Sequence, residues 1–339
     1  MLEGAADTKT PKILEVYENI NRVSGIRTFS ENFFLHPHLM SLNKEVTSIK
    51  NPLEIYKKFK NFDVIYCHQL YSLSALNMVL ICILLQKKII MVSHGNLIVR
   101  EKSRFKKLFF LSITKLMLLF CSSTTQFLNK NEKARSFQIT KNNFICPPFI
   151  EFNNDLSREN FYMKKDDSKE NNLIKFCYLG ANYYERKGFD RMLRLCSSFL
   201  DSKRKVQLDF IGVSETEFLK KKIKQYGLAE AVNFITPIHG TKKYLKLIEY
   251  DAMLLLSRSE GWPMVVLEAI NVKLPLVVSR GTNISDLIET YELGLVLDYF
   301  DDCNLTNELH SLSYKKDEFI KKHNNDPGYL LARNELLCL

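Results

Sequence analysis

Residues 257–270, SRSEGWPMVVLEAI, decide how this chain is read. They follow an apolar run at 252–256 with the length and composition of a buried strand. A Glu-Gly-Trp-Pro turn comes next, then an amphipathic stretch that predicts a helix starting near Pro263. Proline suits that position because its missing N–H would have no partner there. The amides of Met264, Val265 and Val266 are then expected to point out of the helix start and to attract an anion. Glu260 stands before the helix and Glu268 eight positions later, inside it. Bare amides for a phosphate, with carboxylates on either side to accept hydroxyl hydrogens, suit a sugar nucleotide. The competing reading is an ordinary strand–turn–helix with solvated carboxylates.

A diphosphate also calls for cations. Residues 178–190 read YLGANYYERKGFD, a strand end, a loop and a helix expected to start near Gly188. Arg186 and Lys187 would stand there to clamp a diphosphate and to stabilise the charge that grows as it leaves. Each charge-assisted hydrogen bond of this kind is worth about 1.5–3 kcal/mol. In the first half, residues 90–96 read IMVSHGN, which places His94 and Gly95 after a strand. A capping histidine is the plain alternative. Residues 21–29 read NRVSGIRTF, and Gly25 would let backbone approach a phosphate closely. His68, Cys67 and Phe109–Phe110 read as core or rim groups.

The surrounding pattern alternates strand and helix twice. Strands are expected at 12–17, 62–68, 89–93, 124–128 and 143–146, with helices at 26–40, 72–85 and 104–121. The second half repeats the pattern with strands at 173–179, 206–211, 232–236, 252–256, 276–279 and 295–298, and helices such as 191–200 and 215–226. Alternation of this kind predicts α/β domains with parallel sheets covered by helices on both faces. Residues 151–172 are rich in Asn, Asp, Lys and Glu and read as a linker. The expected division is a flexible leader at 1–10, a first domain at 11–150, the linker, a second domain at 173–304 and a tail at 305–339.

The 339 residues suit two domains, and 46% hydrophobic content excludes a disordered chain. The net charge of +10 is uneven. Residues 1–150 hold 21 Lys and Arg against 10 Asp and Glu, a net of +11, and the remaining 27 against 28 leave −1. A basic first half points to an anionic partner, and residues 100–121 mix Phe and Leu with Lys and Arg as a membrane-surface helix would. A core helix with a basic outer face reads the same way. The eight cysteines are scattered without a CxxC pair, which fits free thiols in a reducing cytosol. The start of the chain has no apolar signal-peptide region, and no apolar run reaches the ~20 residues of a spanning helix.

A Glu, seven residues and a second Glu, with GWPMVV between them, resemble the donor-binding motif of glycosyltransferase family 4, the group 1 retaining enzymes with the GT-B fold. The resemblance implies two doubly wound Rossmann-like domains facing a cleft, the first for the acceptor and the second for the donor. It implies a nucleoside-diphosphate sugar donor, UDP- or GDP-linked, with no cofactor and no essential metal. Arg186 and Lys187 would hold the diphosphate, and the backbone from Gly261 through Trp262, Pro263 and Met264 to Val265 the sugar hydroxyls and phosphate. Glu268 would accept the ribose hydroxyls, Glu260 would contact the transferred sugar, and His94 would face it. Gly25 would approach the donor phosphate, although the family's paired glycines are here Ser24-Gly25. Another departure is Ala181, where many members carry Arg directly after the strand's glycine. The acceptor would be a glycan or a lipid-linked sugar of a bacterial capsule, O-antigen or lipopolysaccharide pathway, reached at the cytoplasmic face of the membrane. The departures keep a second reading open, a non-catalytic partner subunit that binds the sugar nucleotide. A dinucleotide oxidoreductase lacks its Gly-x-Gly-x-x-Gly, and a nucleic-acid binder lacks any recognition motif.

Overall fold

Short apolar runs that pair only with parallel neighbours must be covered on both faces, and this requirement organises the chain. The structure is a computed structural model that describes residues 10–17, 25–48, 52–68, 72–99, 104–152, 173–300 and 305–337. Most of the expected leader and linker, together with Ser24, Arg100 and Lys102, lies outside the described residues. The chain divides into two units, residues 1–151 with 323–339, and residues 152–322.

The first unit holds β1 (Ile13–Tyr17), β2 (Lys44–Ser48), β3 (Val64–Cys67), β4 (Lys88–Val92), β5 (Ser123–Phe127) and β6 (Asn142–Ile145). All pairings are parallel, in the order β2-β1-β3-β4-β5-β6. Between them run α1 (Gly25–Phe33), α2 (Pro52–Phe59), α3 (Leu73–Leu84), α4 (Arg104–Leu118) and α5 (Lys130–Arg135). One sheet face carries Leu14, Val16, Ile65, Cys67, Ile89 and Met91 into an apolar core with Met78, Val79, Cys82, Leu111 and Leu118. On β1 the period of two turns Glu15 and Tyr17 to the opposite face, where Ser30 and Phe29 of α1 meet them and His68. Strand β2, KEVTS, carries no apolar run because it is an edge strand paired only with β1.

The second unit holds β7 (Leu173–Leu179), β8 (Lys205–Ile211), β9 (Val232–Ile235), β10 (Ala252–Leu255), β11 (Leu276–Ser279) and β12 (Gly294–Leu297). Their order is β12-β11-β10-β7-β8-β9, again parallel. Strand order reverses between β7 and β10, and ligands of such sheets bind outside the carboxyl ends of the strands at that point. The helices are α6 (Tyr184–Lys187), α7 (Phe189–Asp201), α8 (Glu217–Gln225), α9 (Thr241–Leu247), α10 (Val265–Asn271) and α11 (Ser285–Thr290).

Three further helices end the chain: α12 (Leu305–His310), α13 (Lys316–Asn324) and α14 (Gly328–Leu336). The segment from His323 onward packs on the first unit. Glu335 of α14 pairs with Lys88 at 2.8 Å and accepts from Thr124 at 3.0 Å. His323 Nε2 and Tyr329 Oη both donate to the Pro148 carbonyl, at 2.8 and 3.1 Å, and Tyr329 stacks on His36. No helix among the described residues is long and apolar enough to cross a membrane. The described cysteines are free thiols, five of them buried.

Candidate active site

The loops after β7 and β10 meet at the reversal point of the second sheet. After β7 the chain makes a single turn, α6, rather than the expected loop, and breaks at Gly188 before α7. Gly188 has φ +69°, and a Cβ there would lie 2.1 Å from the Leu256 carbonyl oxygen at the end of β10. Only glycine fits, so the end of α6 sits directly on the neighbouring strand. The Arg258 amide donates to the Arg186 carbonyl at 2.8 Å, and the Arg258 side chain holds Asp190 of α7. The Arg258 guanidinium holds Asp190 below the usual carboxylate range, against a burial cost that works the other way.

This joint delivers Lys187 to Glu260, with Nζ donating to Oε1 at 2.6 Å. Both side chains are largely shielded, at 14% and 9% exposure, so the pair is held away from bulk water. Ser257 Oγ donates to the same Oε1 at 2.7 Å. The Glu260 backbone is pinned as well. Its amide donates to the Gly281 carbonyl at 3.0 Å, and Asn283 Nδ2 donates to its carbonyl at 2.5 Å. Arg186 behaves differently: it is exposed and lies over the Tyr183 ring at 4.4 Å.

The helix after Glu260 begins at Val265, two residues later than Pro263. Glu268 therefore lies in its first turn. The Val266 amide donates to the Pro263 carbonyl at 3.1 Å, which corrects the expectation that it is left for an anion. With only seven residues the helix brings a short dipole, so side-chain cations carry more of the charge complementarity. Gly261, Pro263 and Met264 are buried, while Trp262 and Val265 are half-buried. Glu268 pairs with Lys243 of α9 at 2.8 Å. Lys243, Ser257 and Asn283 were not singled out from the sequence. Lys243 and Asn283 reach the Glu-x7-Glu segment from other elements, and no local motif marks them.

In the first unit His94 follows β4 in a tight turn, with φ 43°, and Gly95 with φ 74°. Left-handed backbone is costly for histidine, so the surroundings must hold it. Glu132 of α5, itself buried, accepts the Gly95 amide, and its other oxygen accepts the Leu128 amide at 2.7 Å. Burial raises the Glu132 carboxyl above its ordinary range, against the pull of those amides. Burial pushes the His94 imidazole well below its usual value, and the neighbouring His68 adds to the effect. His68 is more than the core or rim group expected: its Nδ1 lies 2.8 Å from His94 Nε2 and its Nε2 2.8 Å from Glu15 Oε1. Gly25 is the first residue of α1, and residues 18–24 before it lie outside the described residues. Among the described residues no group of three or more His, Cys, Asp or Glu is placed to hold a metal ion.

Residues 161–325 match the family model described as glycosyl transferases group 1. The amylovoran biosynthesis glycosyltransferase AmsD of Erwinia amylovora is 28% identical over 185 residues, 54% of this chain and 50% of that protein. The match thus spans about half the length of that relative. Among solved structures, the Anabaena protein HepE in complex with UDP and glucose aligns with a TM-score of 0.66 at 10% identity, covering 96% of this chain and 95% of that one. The lipopolysaccharide outer core galactosyltransferase WaaB aligns with a TM-score of 0.65 at 13% identity, covering 96% and 99%. At these identities the likeness is one of fold: two Rossmann-like domains of the GT-B type.

Proposed function

We propose, from the match of residues 161–325 to the group 1 glycosyl transferases, that the chain is an enzyme of that family which moves a sugar from a nucleoside-diphosphate donor to a glycan or lipid-linked acceptor, retaining the anomeric configuration. The observation that carries the proposal is the Lys187–Glu260 contact at the carboxyl ends of β7 and β10, inside the segment that matches the family. Lys187 and Arg186 bind the diphosphate, and the backbone of Gly261, Trp262, Pro263, Met264 and Val265 adds donors to it and to the sugar. Glu268, steadied by Lys243, accepts the ribose hydroxyls, and Glu260 accepts a hydroxyl of the transferred sugar. Gly25 brings backbone to the donor phosphate, and His94 meets a substrate hydroxyl.

In the transfer itself, the acceptor oxygen bonds to the anomeric carbon on the face that the diphosphate leaves. The bond from that carbon to the phosphate oxygen breaks, and the acceptor's proton passes to the departing phosphate. The cations stabilise the charge that develops there, so no protein nucleophile and no divalent ion is assigned a role. Activity that survives EDTA is the expected result, and a strict requirement for manganese would contradict it.

The donor is UDP- or GDP-linked. HepE is a UDP-bound protein of the same fold, which supports the first choice. The acceptor belongs to bacterial surface polysaccharide synthesis, capsule, O-antigen or lipopolysaccharide, a reading supported by the names of AmsD and WaaB. Contact with the inner face of the cell membrane is proposed through α4. On its outer face Phe105, Phe109 and Leu116 are 89%, 65% and 60% exposed, and Phe120, just after the helix, is 71% exposed. Lys106 and Lys115 are exposed beside them.

A panel of UDP, GDP and their sugars tests the donor site by thermal shift. A ligand at a hundred times its dissociation constant adds about 2.7 kcal/mol to stability. Stabilisation by one nucleotide, together with sugar transfer or donor hydrolysis, supports the enzyme. Stabilisation without turnover across an acceptor panel supports the non-catalytic partner subunit.

A further inference from the structure

Glu15 and His68 are 1% and 2% exposed in their side chains, so the fold has buried a carboxylate and an imidazole against each other. Burying such a pair costs desolvation that an apolar pair of similar size would not. The carboxylate is thoroughly supplied with donors. Tyr17 Oη at 2.8 Å, Ser30 Oγ and the His68 ring all reach Oε1, and Lys44 Nζ reaches Oε2 at 3.2 Å. The three polar side chains come from β1, α1 and the residue after β3, and Lys44 from β2. Burial works against the charge, yet the hydrogen bond from His68, with the Lys44 ammonium and the Tyr17 hydroxyl, holds Glu15 below its ordinary value. It is therefore a carboxylate, which can only accept hydrogen bonds. The rings of Tyr17, Phe29 and Tyr66 pack around His68 and fix its plane.

With both rings neutral, the chain of donors has one solution. His68 must donate from Nε2 to Glu15, so its Nδ1 carries a lone pair. That lone pair accepts from His94 Nε2, 2.8 Å away, so His94 carries its proton on Nε2. His94 Nδ1 is then an acceptor, and it has no partner among the described residues. The strained turn that presents it is clamped from the other side by Glu132. We propose that Glu15 and His68 are positioning residues that lock His94 in the Nε2–H tautomer, so that Nδ1 accepts a hydrogen from a substrate hydroxyl rather than donating one to a phosphate. The inference rests on the proposed sugar transfer for what His94 touches, and on the Glu15–His68–His94 contacts for how it is held.

The test reads the tautomer directly. The full chain, labelled with 15N-histidine, gives two-bond proton–nitrogen spectra at pH 7.5, with His68 and His94 assigned from the His68→Leu and His94→Gln variants. The expected wild-type spectrum shows both rings neutral with the proton on Nε2. Glu15→Gln, whose amide can donate as well as accept, should introduce a second His94 form protonated at Nδ1. His68→Leu should do the same, and serves if Glu15→Gln does not fold. A wild-type His94 protonated at Nδ1, or a tautomer unmoved in these variants, overturns the proposal.

Kinetics add the second arm. Glu15→Gln and His68→Leu should lower kcat about tenfold or more while the donor KM stays within about twofold. Full kcat in both variants, with Lys187→Ala inactive, overturns the positioning role and leaves the glycosyltransferase reading standing. Absence of any turnover by the wild type sinks that reading instead, and the spectra still decide the tautomer.

Discussion

Replacing Lys187 by alanine separates the two things its ammonium does. In the free protein it neutralises Glu260 across 2.6 Å, with the two side chains 14% and 9% exposed. A fully buried pair broken on one side costs about 3–5 kcal/mol. Here residual exposure and the Ser257 hydroxyl, which still donates at 2.7 Å, reduce that to about 2 kcal/mol. For a unit of this size the loss lowers Tm by about 4–8 °C. The double variant Lys187→Met, Glu260→Gln removes both charges and should regain most of that stability. Nucleotide binding should not follow. Loss of the charge-assisted bond to the diphosphate costs about 1.5–3 kcal/mol, or about 10- to 150-fold in Kd, in the single and the double variant alike. Scanning calorimetry reads the first quantity, and isothermal titration with UDP and GDP the second. A Kd unchanged in Lys187→Ala, or one restored in the double variant, would refute the reasoning.

Gly188→Ala should destabilise by about 2 kcal/mol or more, since its backbone lies at φ +69° and the new Cβ would fall 2.1 Å from the Leu256 oxygen; urea unfolding measures it. Burial lowers His323 from 6.5 to about 4, with His36 adding to the shift and the Pro148 hydrogen bond opposing it. A depressed folded value means stability that is complete above pH 6.5 and is lost as the pH falls toward 4, roughly 3 kcal/mol in all. His36 and His94 are shifted in the same direction, so His323→Gln should flatten the fall of Tm between those pH values without abolishing it. Flotation with anionic liposomes at physiological salt should recover the wild type, and Phe105→Ser with Phe109→Ser should weaken recovery severalfold. An absence of binding by the wild type removes the membrane proposal.

How legible each part was depends on where its contacts lie. Strands β7 and β11 were readable to the residue because they are internal strands, apolar except for Lys175 and Ser279. Strand β2 was missed because an edge strand exposes one side and needs few apolar residues. Helix α10 was placed too early, since Pro263 closes a turn with the Val266 amide before the helix begins. Lys187 and Glu260, 73 positions apart, could be paired in advance only through the family resemblance. The Glu15–His68–His94 chain joins residues 53 and 26 positions apart on three loops or strands, and Glu15 and His68 alone look like ordinary buried polar residues. Asn283, 23 positions from Glu260, gave no signal for the same reason, and Ser257, only three positions away, is a serine after a strand that no pattern marks as a donor. Helices α12 to α14 are short and charged, and their apolar contacts are made with distant segments rather than repeated along one face.

The close seating of Gly188 on Leu256, with the amide of Arg258 bonded to the carbonyl of Arg186, has a practical consequence for redesign. Segments 181–188 and 256–262 behave as a single mechanical part, since neither can shift without dragging the other. Chimaeras that import one of these segments from a paralogue with another sugar preference should misfold or lose affinity. Swapping both together gives the graft its matching half.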